Sequence, residues 1–405
     1  MSNYKGIEYL RRKLNRKRER VNLRYEYYEM KNLTKDFNIS TPPTLKNWMS
    51  TAGWCGKAVD SLADRIAFRE FENDNFQMNE IFQMNNPDVL TDSAFLSALI
   101  SSCSFIYIAP DEDGFPRMAV IDGGNATGEI DPVTNMLNEG YAVLKRDDRG
   151  VPIQEAYFVP YRTVYYTKGE PGYRVLDHDA PYPLLVPVIY RPDARRPFGH
   201  SRISRACMSY VGSAIRTIKR SEISAEFFSY PQRWATGIDD PQEIQDKWKA
   251  VMSQMFTIGK SEDGENPSFG QFQQQSMQPH NDQLKIFAAL FAGECDLTLD
   301  DLGFKTDNPT SSDAIKASHE NLRLRARKAQ RTFGTGLLNA GYLAACVRDK
   351  FTYQRRAIYM TVPKWEPIFE PDASGLTGFG DAAIKLQQAF PDYFTESKLK
   401  DLTGI

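Results

Sequence analysis

Histidine and cysteine are scarce in this 405-residue chain, at four and five copies. His178, His200, His280 and His319 stand at no ligand spacing from one another or from a cysteine, which argues against a zinc site. Cys55, Cys103, Cys207, Cys295 and Cys346 are odd in number and widely spaced, so they suggest neither a disulfide framework nor a zinc ribbon. Reduced, mostly buried thiols in a protein made inside a cell are the expectation. An excess of either charge is also lacking. Fifty basic against 52 acidic residues leave a net charge of −2, which excludes a bulk cationic coat for nucleic acid but not local basic stripes. No apolar run is long enough to cross a bilayer, and Leu96–Ile108 is broken by Ser101, Ser102 and Ser104. The start, Met1-Ser2-Asn3-Tyr4-Lys5, lacks the apolar core of a secretory signal.

Chemical fingerprints are missing as well. There is no G-x-x-x-x-G-K-[ST] phosphate loop, no G-x-S-x-G elbow and no H-E-x-x-H helix. Gly123-Gly124-Asn125 opens no helical pattern and reads as a loop. Asp239-Asp240 and Asp300-Asp301 fall at helix ends, where carboxylates cap or satisfy the dipole. The expectation is a protein that is no enzyme, with no catalytic residue, metal or cofactor, in a structural or mechanical role.

What is present is ordinary folded composition, 41% apolar and 25% charged. At roughly 150 residues per domain the length suggests two or three domains. Leu10, Leu14, Val21 and Tyr25 predict a helix over 4–31. It holds ten Lys or Arg against four Glu between Lys5 and Lys31. Such a helix is either an arm for nucleic acid or an acidic partner, or a solvated amphipathic helix with internal ion pairs; composition alone favours the second. Helices are expected over 55–71 and over 91–102, the latter capped by Thr91 or Asp92.

Strand-like runs follow at 104–109, 117–121, 141–146, 156–160, 163–167 and 185–190, with turns at Asp111–Gly114 and Asp147–Gly150. Asp111 and Asp113 lack the further ligands of a calcium loop. Helices followed by a meander make an α+β pattern. From Ser201 to Ser229 the helical period returns through Ile203, Cys207, Val211, Ile215 and Ile218, a rod of about 43 Å if fully helical. A small unit over 232–278 comes next, with strands at 233–236 and 269–272 and a helix at 241–255. Another helix runs over 281–301, then a break at 303–312. A last long helix reaches about Val347, with a kink expected at Gly334 and Gly336. A strand at 357–362 and short helices at 379–390 and 395–402 finish the chain.

Two long helices bracketing a small unit describe a stalk with a tip. Such a stalk would expose apolar stripes on both helices, and neighbouring copies would cover them. A head-to-tail interface of that kind closes into a ring where the rotation allows.

Four segments resemble a known family. They are Trp54–Ile66 (WCGKAVDSLADRI), Ile106–Met118 (IYIAPDEDGFPRM), Phe198–Gly237 with its Pro-Gln-Arg-Trp close, and Leu302–Phe333 with its Asn-Pro-Thr-Ser run and basic helix. In this order they resemble the portal proteins of tailed bacteriophages, in particular those of long-tailed phages of Gram-positive hosts.

The resemblance implies a portal fold with a wing (1–200 and 313–378), a two-helix stem (201–229 and 281–302) and a small α/β clip (230–280). It also implies a tunnel loop (303–312), a long kinked helix and a short C-terminal crown (379–405). The implied function is a dodecameric ring at one capsid vertex that nucleates head assembly and passes DNA in packaging and ejection. Its implied partners are other copies, double-stranded DNA, the major capsid protein, the terminase large subunit, the head–tail connector or adaptor and a scaffolding protein, with no membrane. The implied location is the virion, after assembly in the host cytoplasm.

On this mapping Lys305, Thr306, Asp307 and Asn308 line the narrowest point, unless they are an ordinary surface loop. Asp239, Asp240, Glu262, Asp263 and Glu265 on the clip face the adaptor and terminase. Ile203, Val211, Ile215 and Ile218 pack the stem. Arg11, Arg12, Arg16, Arg323, Arg327 and Arg331 are candidates for DNA or capsid contact, with subunit–subunit ion pairs an equal alternative for the last three. The other readings are a DNA-binding head-associated module and a head-maturation enzyme.

Overall fold

A computed structural model describes residues 4–35, 48–229, 233–236, 268–271, 276–304, 312–369 and 373–389. The described helices are α1 (Ile7–Tyr28), α2 (Trp54–Ala63), α3 (Met78–Gln83), α4 (Pro87–Ser101), α5 (Arg205–Ser229), α6 (Gln278–Glu294), α7 (Ser312–Ser318), α8 (Glu320–Arg348) and α9 (Ala373–Ala389). The strands are β1 (Phe68–Glu72), β2 (Cys103–Pro110), β3 (Pro116–Ile121), β4 (Ala126–Ile130), β5 (Leu137–Arg146), β6 (Pro152–Val159), β7 (Arg162–Thr167), β8 (Arg174–Asp177), β9 (Leu185–Ile189), β10 (Arg233–Thr236), β11 (Ser268–Gln271) and β12 (Val362–Trp365). The mixed helix-and-sheet class expected from the pattern is what the chain adopts.

The chain forms two compact units, one from residues 1–33, 52–211 and 288–405, the other from 34–51 and 212–287. In the first, β3-β2-β9 make an antiparallel sheet, with Phe105 opposite both Ile121 and Pro187. A five-stranded meander runs β4-β5-β6-β7-β8. Helices α4 and α8 pack on the β3-β2-β9 sheet and on each other: Phe95 of α4 stacks on Phe333 of α8 with centroids 4.8 Å apart and planes 4° from parallel. Leu337, Ala340, Leu343 and Ala344 of α8 are fully buried. Gly336 lets this helix close on the sheet, since a Cβ there would lie 3.2 Å from the Pro187 carbonyl. Strands β1 and β12 pair antiparallel, Phe68 opposite Trp365. In the second unit, β10 and β11 pair antiparallel. Thr217 of α5 donates to Gln283 Oε1 of α6 at 3.2 Å, and Ser50 Oγ donates to Glu222 at 2.8 Å.

Several expected boundaries differ. The helix over 55–71 stops at Ala63, because Phe68 and Phe71 are drawn into a strand whose rings pack on Phe82. Helix α4 starts at Pro87 rather than at a Thr91 or Asp92 cap; proline needs no amide partner in a first turn, and the Thr91 hydroxyl bonds back to the Pro87 carbonyl. The rod starts at Arg205, not Ser201, since Ser201 and Arg202 are tied to α4 and α2 by side-chain bonds to backbone carbonyls.

The helix over 281–301, and with it the stem helix drawn to 302, ends at Glu294. Asp296 takes φ 53° there, and the Leu297 amide turns back to the Ala292 carbonyl; a 3-10 turn at Asp300–Leu302 follows. The expected kink at Gly334 and Gly336 is replaced by a break at His319, while both glycines continue α8. Residues 355–358 form a 3-10 turn, and the strand comes later, at 362–365. The expected helices at 241–255 and 395–402 lie outside the described residues.

Candidate functional site

The basic residues of α1 and those of α8 are the first candidates. Helix α1 lies on the meander through Leu10 and Leu14, which bury with Tyr141 and Val143. Three sheet carboxylates then take its polar groups. Glu139, 1% exposed, accepts the Lys5 and Gly6 amides at 2.9 and 3.1 Å and the Tyr157 hydroxyl at 2.8 Å. Glu129 takes Lys13 at 2.6 Å and Lys5 at 2.9 Å. Burial pushes the Glu129 carboxyl up, and the hydrogen bonds from Lys13 and Lys5 outweigh it, holding it below the usual range.

Glu155 takes Arg11 at 2.6 Å, with Glu8 also on that guanidinium. Burial opposes the charge on Arg11, but Glu155 more than compensates and raises its pKa. Of the three arginines of α1 offered as DNA or capsid contacts, Arg11 is therefore committed to the chain's own sheet. Arg12 donates to the Glu8 carbonyl at 3.3 Å, and both Arg12 and Arg16 are exposed.

Helix α8 carries its charge differently. Arg323 is paired with Glu320 at 2.7 Å, one turn away. Arg325 of the same basic run meets Asp296 at 2.8 Å. Arg327, Lys328 and Arg331 are exposed, and among the described residues none of them forms an ion pair. They line a cleft of about 1090 Å³ with Leu324, Gln330 and Trp365. Lys328 and Trp365 were missed as partners because the strand bringing Trp365 there is 34 residues further on. A basic run interrupted by Leu324 was the only local signal.

The residues expected to pack a stem come second. Ile203, Val211 and Ile215 are 1%, 0% and 6% exposed in the single chain, and Ile218 is half-buried. The expectation that this stripe waits for neighbouring copies is thus overturned: the chain itself covers it. The stripe on the other helix is open. Ile286 and Leu290 of α6 are 58% and 47% exposed, and Ala289 and Gly293 beside them are also exposed.

Lys305, Thr306, Asp307 and Asn308 lie outside the described residues, as do Asp239, Asp240, Glu262, Asp263 and Glu265. Next to residues 305–311 Gly303 takes φ 89°, and His319 Nε2 lies 3.1 Å from Asp301 Oδ2. Among the described residues no cluster of His, Cys, Asp or Glu is arranged to hold a metal, and no helix is long and apolar enough to cross a membrane.

In sequence the chain is similar to bacteriophage portal proteins, which bears out the resemblance read from its motifs. One relative is the portal protein of Mycobacterium phage L5, 25% identical over 333 residues that span 76% of this chain and 67% of that one. The portal protein of Mycobacterium phage D29 is 25% identical over 332 residues, with the same shares. No protein-family model matches. Two solved structures, described as necks of an empty and of a native GTA particle, are each 12% identical. The first aligns 90% of this chain with 93% of its own at a TM-score of 0.49, and the second 95% with 99% at 0.46.

Proposed function

We propose that copies of this chain assemble into a portal ring at one capsid vertex, through which DNA is packaged and ejected. The observation that carries the reading is the similarity to two portal proteins over three quarters of the chain. The exposed Ile286 and Leu290 of α6 support it, because a helix with apolar residues bare in the monomer gains by packing on another copy. In this reading α5 and α6 form the stem, 230–280 the clip, 303–312 the tunnel loop, 1–200 with 313–378 the wing and 379–405 a small crown. Lys305, Thr306, Asp307 and Asn308 touch passing phosphates briefly. Their mixed charge suits sliding, since a continuous cationic ring would release counterions and hold the duplex. The clip carboxylates Asp239, Asp240, Glu262, Asp263 and Glu265 face the adaptor and terminase, and the ring nucleates head assembly.

Negative-stain imaging of the full chain tests the ring. A symmetric particle with a central hole is expected, and Ile286→Asp with Leu290→Asp should return it to monomers that keep their thermal transition. A compact monomer at all concentrations overturns the reading in favour of a DNA-binding module or an enzyme. Deleting 304–310 should block packaging and leave the ring intact; unimpaired packaging removes the tunnel-loop assignment.

A further inference from the structure

The sequence reading treats all five cysteines as inert buried thiols, yet two of them meet. Cys207 lies in the first turn of α5 and Cys295 directly follows α6. Both are 1% exposed, both are free, and their sulfurs are 3.2 Å apart. A disulfide needs about 2.05 Å, so just over 1 Å of approach would join them.

The two sulfurs differ in their surroundings. Cys207 Sγ takes a bond from the Ser204 hydroxyl at 3.3 Å and sits at a helix N-terminus, which favours a thiolate. Arg202, 6% exposed, lies between the two segments, donating to the Cys295 and Ala58 carbonyls. The bond with Cys295, and then those with Ser204, lowers the Cys207 pKa, while Cys207 and burial raise that of Cys295. One sulfur is poised as the nucleophile and the other keeps its proton. By contrast burial, helped by the charges of Asp349 and Asp179, pushes Cys346 up to about 11, with no thiol hydrogen-bonded to it among the described residues.

We propose that Cys207 and Cys295 are a redox modification site, which a small hydroperoxide converts to a disulfide fastening the start of α5 to the end of α6. The Cys207 thiolate attacks one peroxide oxygen; the S–O bond forms, the O–O bond breaks, and the departing oxygen takes a proton to leave as an alcohol or water. Cys295 sulfur then attacks the sulfenic acid; the S–S bond forms, the S–O bond breaks, and its hydroxyl leaves as water with the Cys295 proton. The two sulfurs together give two electrons to the peroxide, and a dithiol returns them. The closed loop spans 88 residues. By loop-entropy reasoning the bond should raise Tm by roughly 5 °C or more.

The test uses the reduced full chain, treated with hydrogen peroxide, freed of peroxide and then alkylated in denaturant. Expected are three alkylated cysteines, a mass lower by two hydrogens before alkylation, a Cys207–Cys295 cross-linked peptide and a Tm gain that dithiothreitol reverses. In Cys295→Ser a dimedone adduct should appear on Cys207. Cys346→Ser should change none of this. Five alkylatable thiols after treatment, a disulfide through Cys55, or Cys207 unlabelled in folded Cys295→Ser would overturn the proposal. Ring formation has no part in these readouts.

Discussion

Helices α1 and α8 are both dense in lysine and arginine, and they use the charge in opposite ways. At α1 the cations facing the sheet are consumed: Arg11 and Lys13, with Lys5 just ahead of the helix, close onto Glu155 and Glu129, while Glu139 takes the Lys5 and Gly6 amides that lead into it. On α8 the seat is apolar and continuous, from Phe333 through Val347, and the charge of its first half stays outside in Arg327, Lys328 and Arg331. Positive charge in a sequence is therefore not in itself a binding surface. Carboxylates arriving from distant strands decide whether it faces inward.

That contrast can be broken by mutation. The largest effect is expected on the α8 side: Phe333→Ala removes a ring stacked on Phe95 and should cost about 3–5 kcal/mol in chemical denaturation. A loss under about 1 kcal/mol would mean the core is not seated there. Next comes Glu139→Gln, which keeps the shape but weakens three hydrogen bonds to a buried carboxylate; about 2 kcal/mol should be lost, with α1 amides exchanging faster than those of α8. Equal loosening of both helices would erase the distinction.

Acid gives a smaller version of the same test. The Glu129 pKa is held below its ordinary 4.5, so its stabilisation of α1 is complete above that value and fades as pH falls below it. Solvent screening limits this to under about 1 kcal/mol, and the protection of α1 amides, corrected for intrinsic exchange at each pH, should fall with acid in Glu129-bearing protein but stay flat in Glu129→Gln. The smallest stability effect belongs to Arg327→Glu with Arg331→Glu, within about 0.5 kcal/mol. If this surface meets DNA, the pair should also lower the salt slope of binding in a filter assay. Should Arg12→Glu with Arg16→Glu do so instead, α1 is the contact helix.

The inner meander strands β5, β6 and β7, α1 and the rod were legible because their periods and turns are local, whereas the outer strands β4 and β8 were not expected. Asp111 and Asp147 sit at turns whose backbone amides they accept, as their Asp-x-x-Gly spacing implies. What was not legible depends on distant partners. Phe68 and Phe71 read as the tail of a helix until β12 supplies an edge to pair with. The stem stripe read as an unsatisfied face because nothing in its own period tells that the chain covers Val211 and Ile215. Gly334 and Gly336 read as a kink, whereas Gly336 serves close packing on β9. On the candidate surface the cations of α8 were visible, but the cleft they share with Trp365 was not.

The pairing of β1 with β12 sets an order on synthesis. Phe68 meets a strand partner that leaves the ribosome almost 300 positions later, and the bare apolar side of β2 and β9 receives α8 only shortly before that. Until then the nascent chain carries an unfinished core, the kind of delay that long-range topologies impose. A message truncated ahead of Glu320 would yield a product that cannot close, so premature termination should feed aggregation and proteolysis rather than a stub able to poison intact copies.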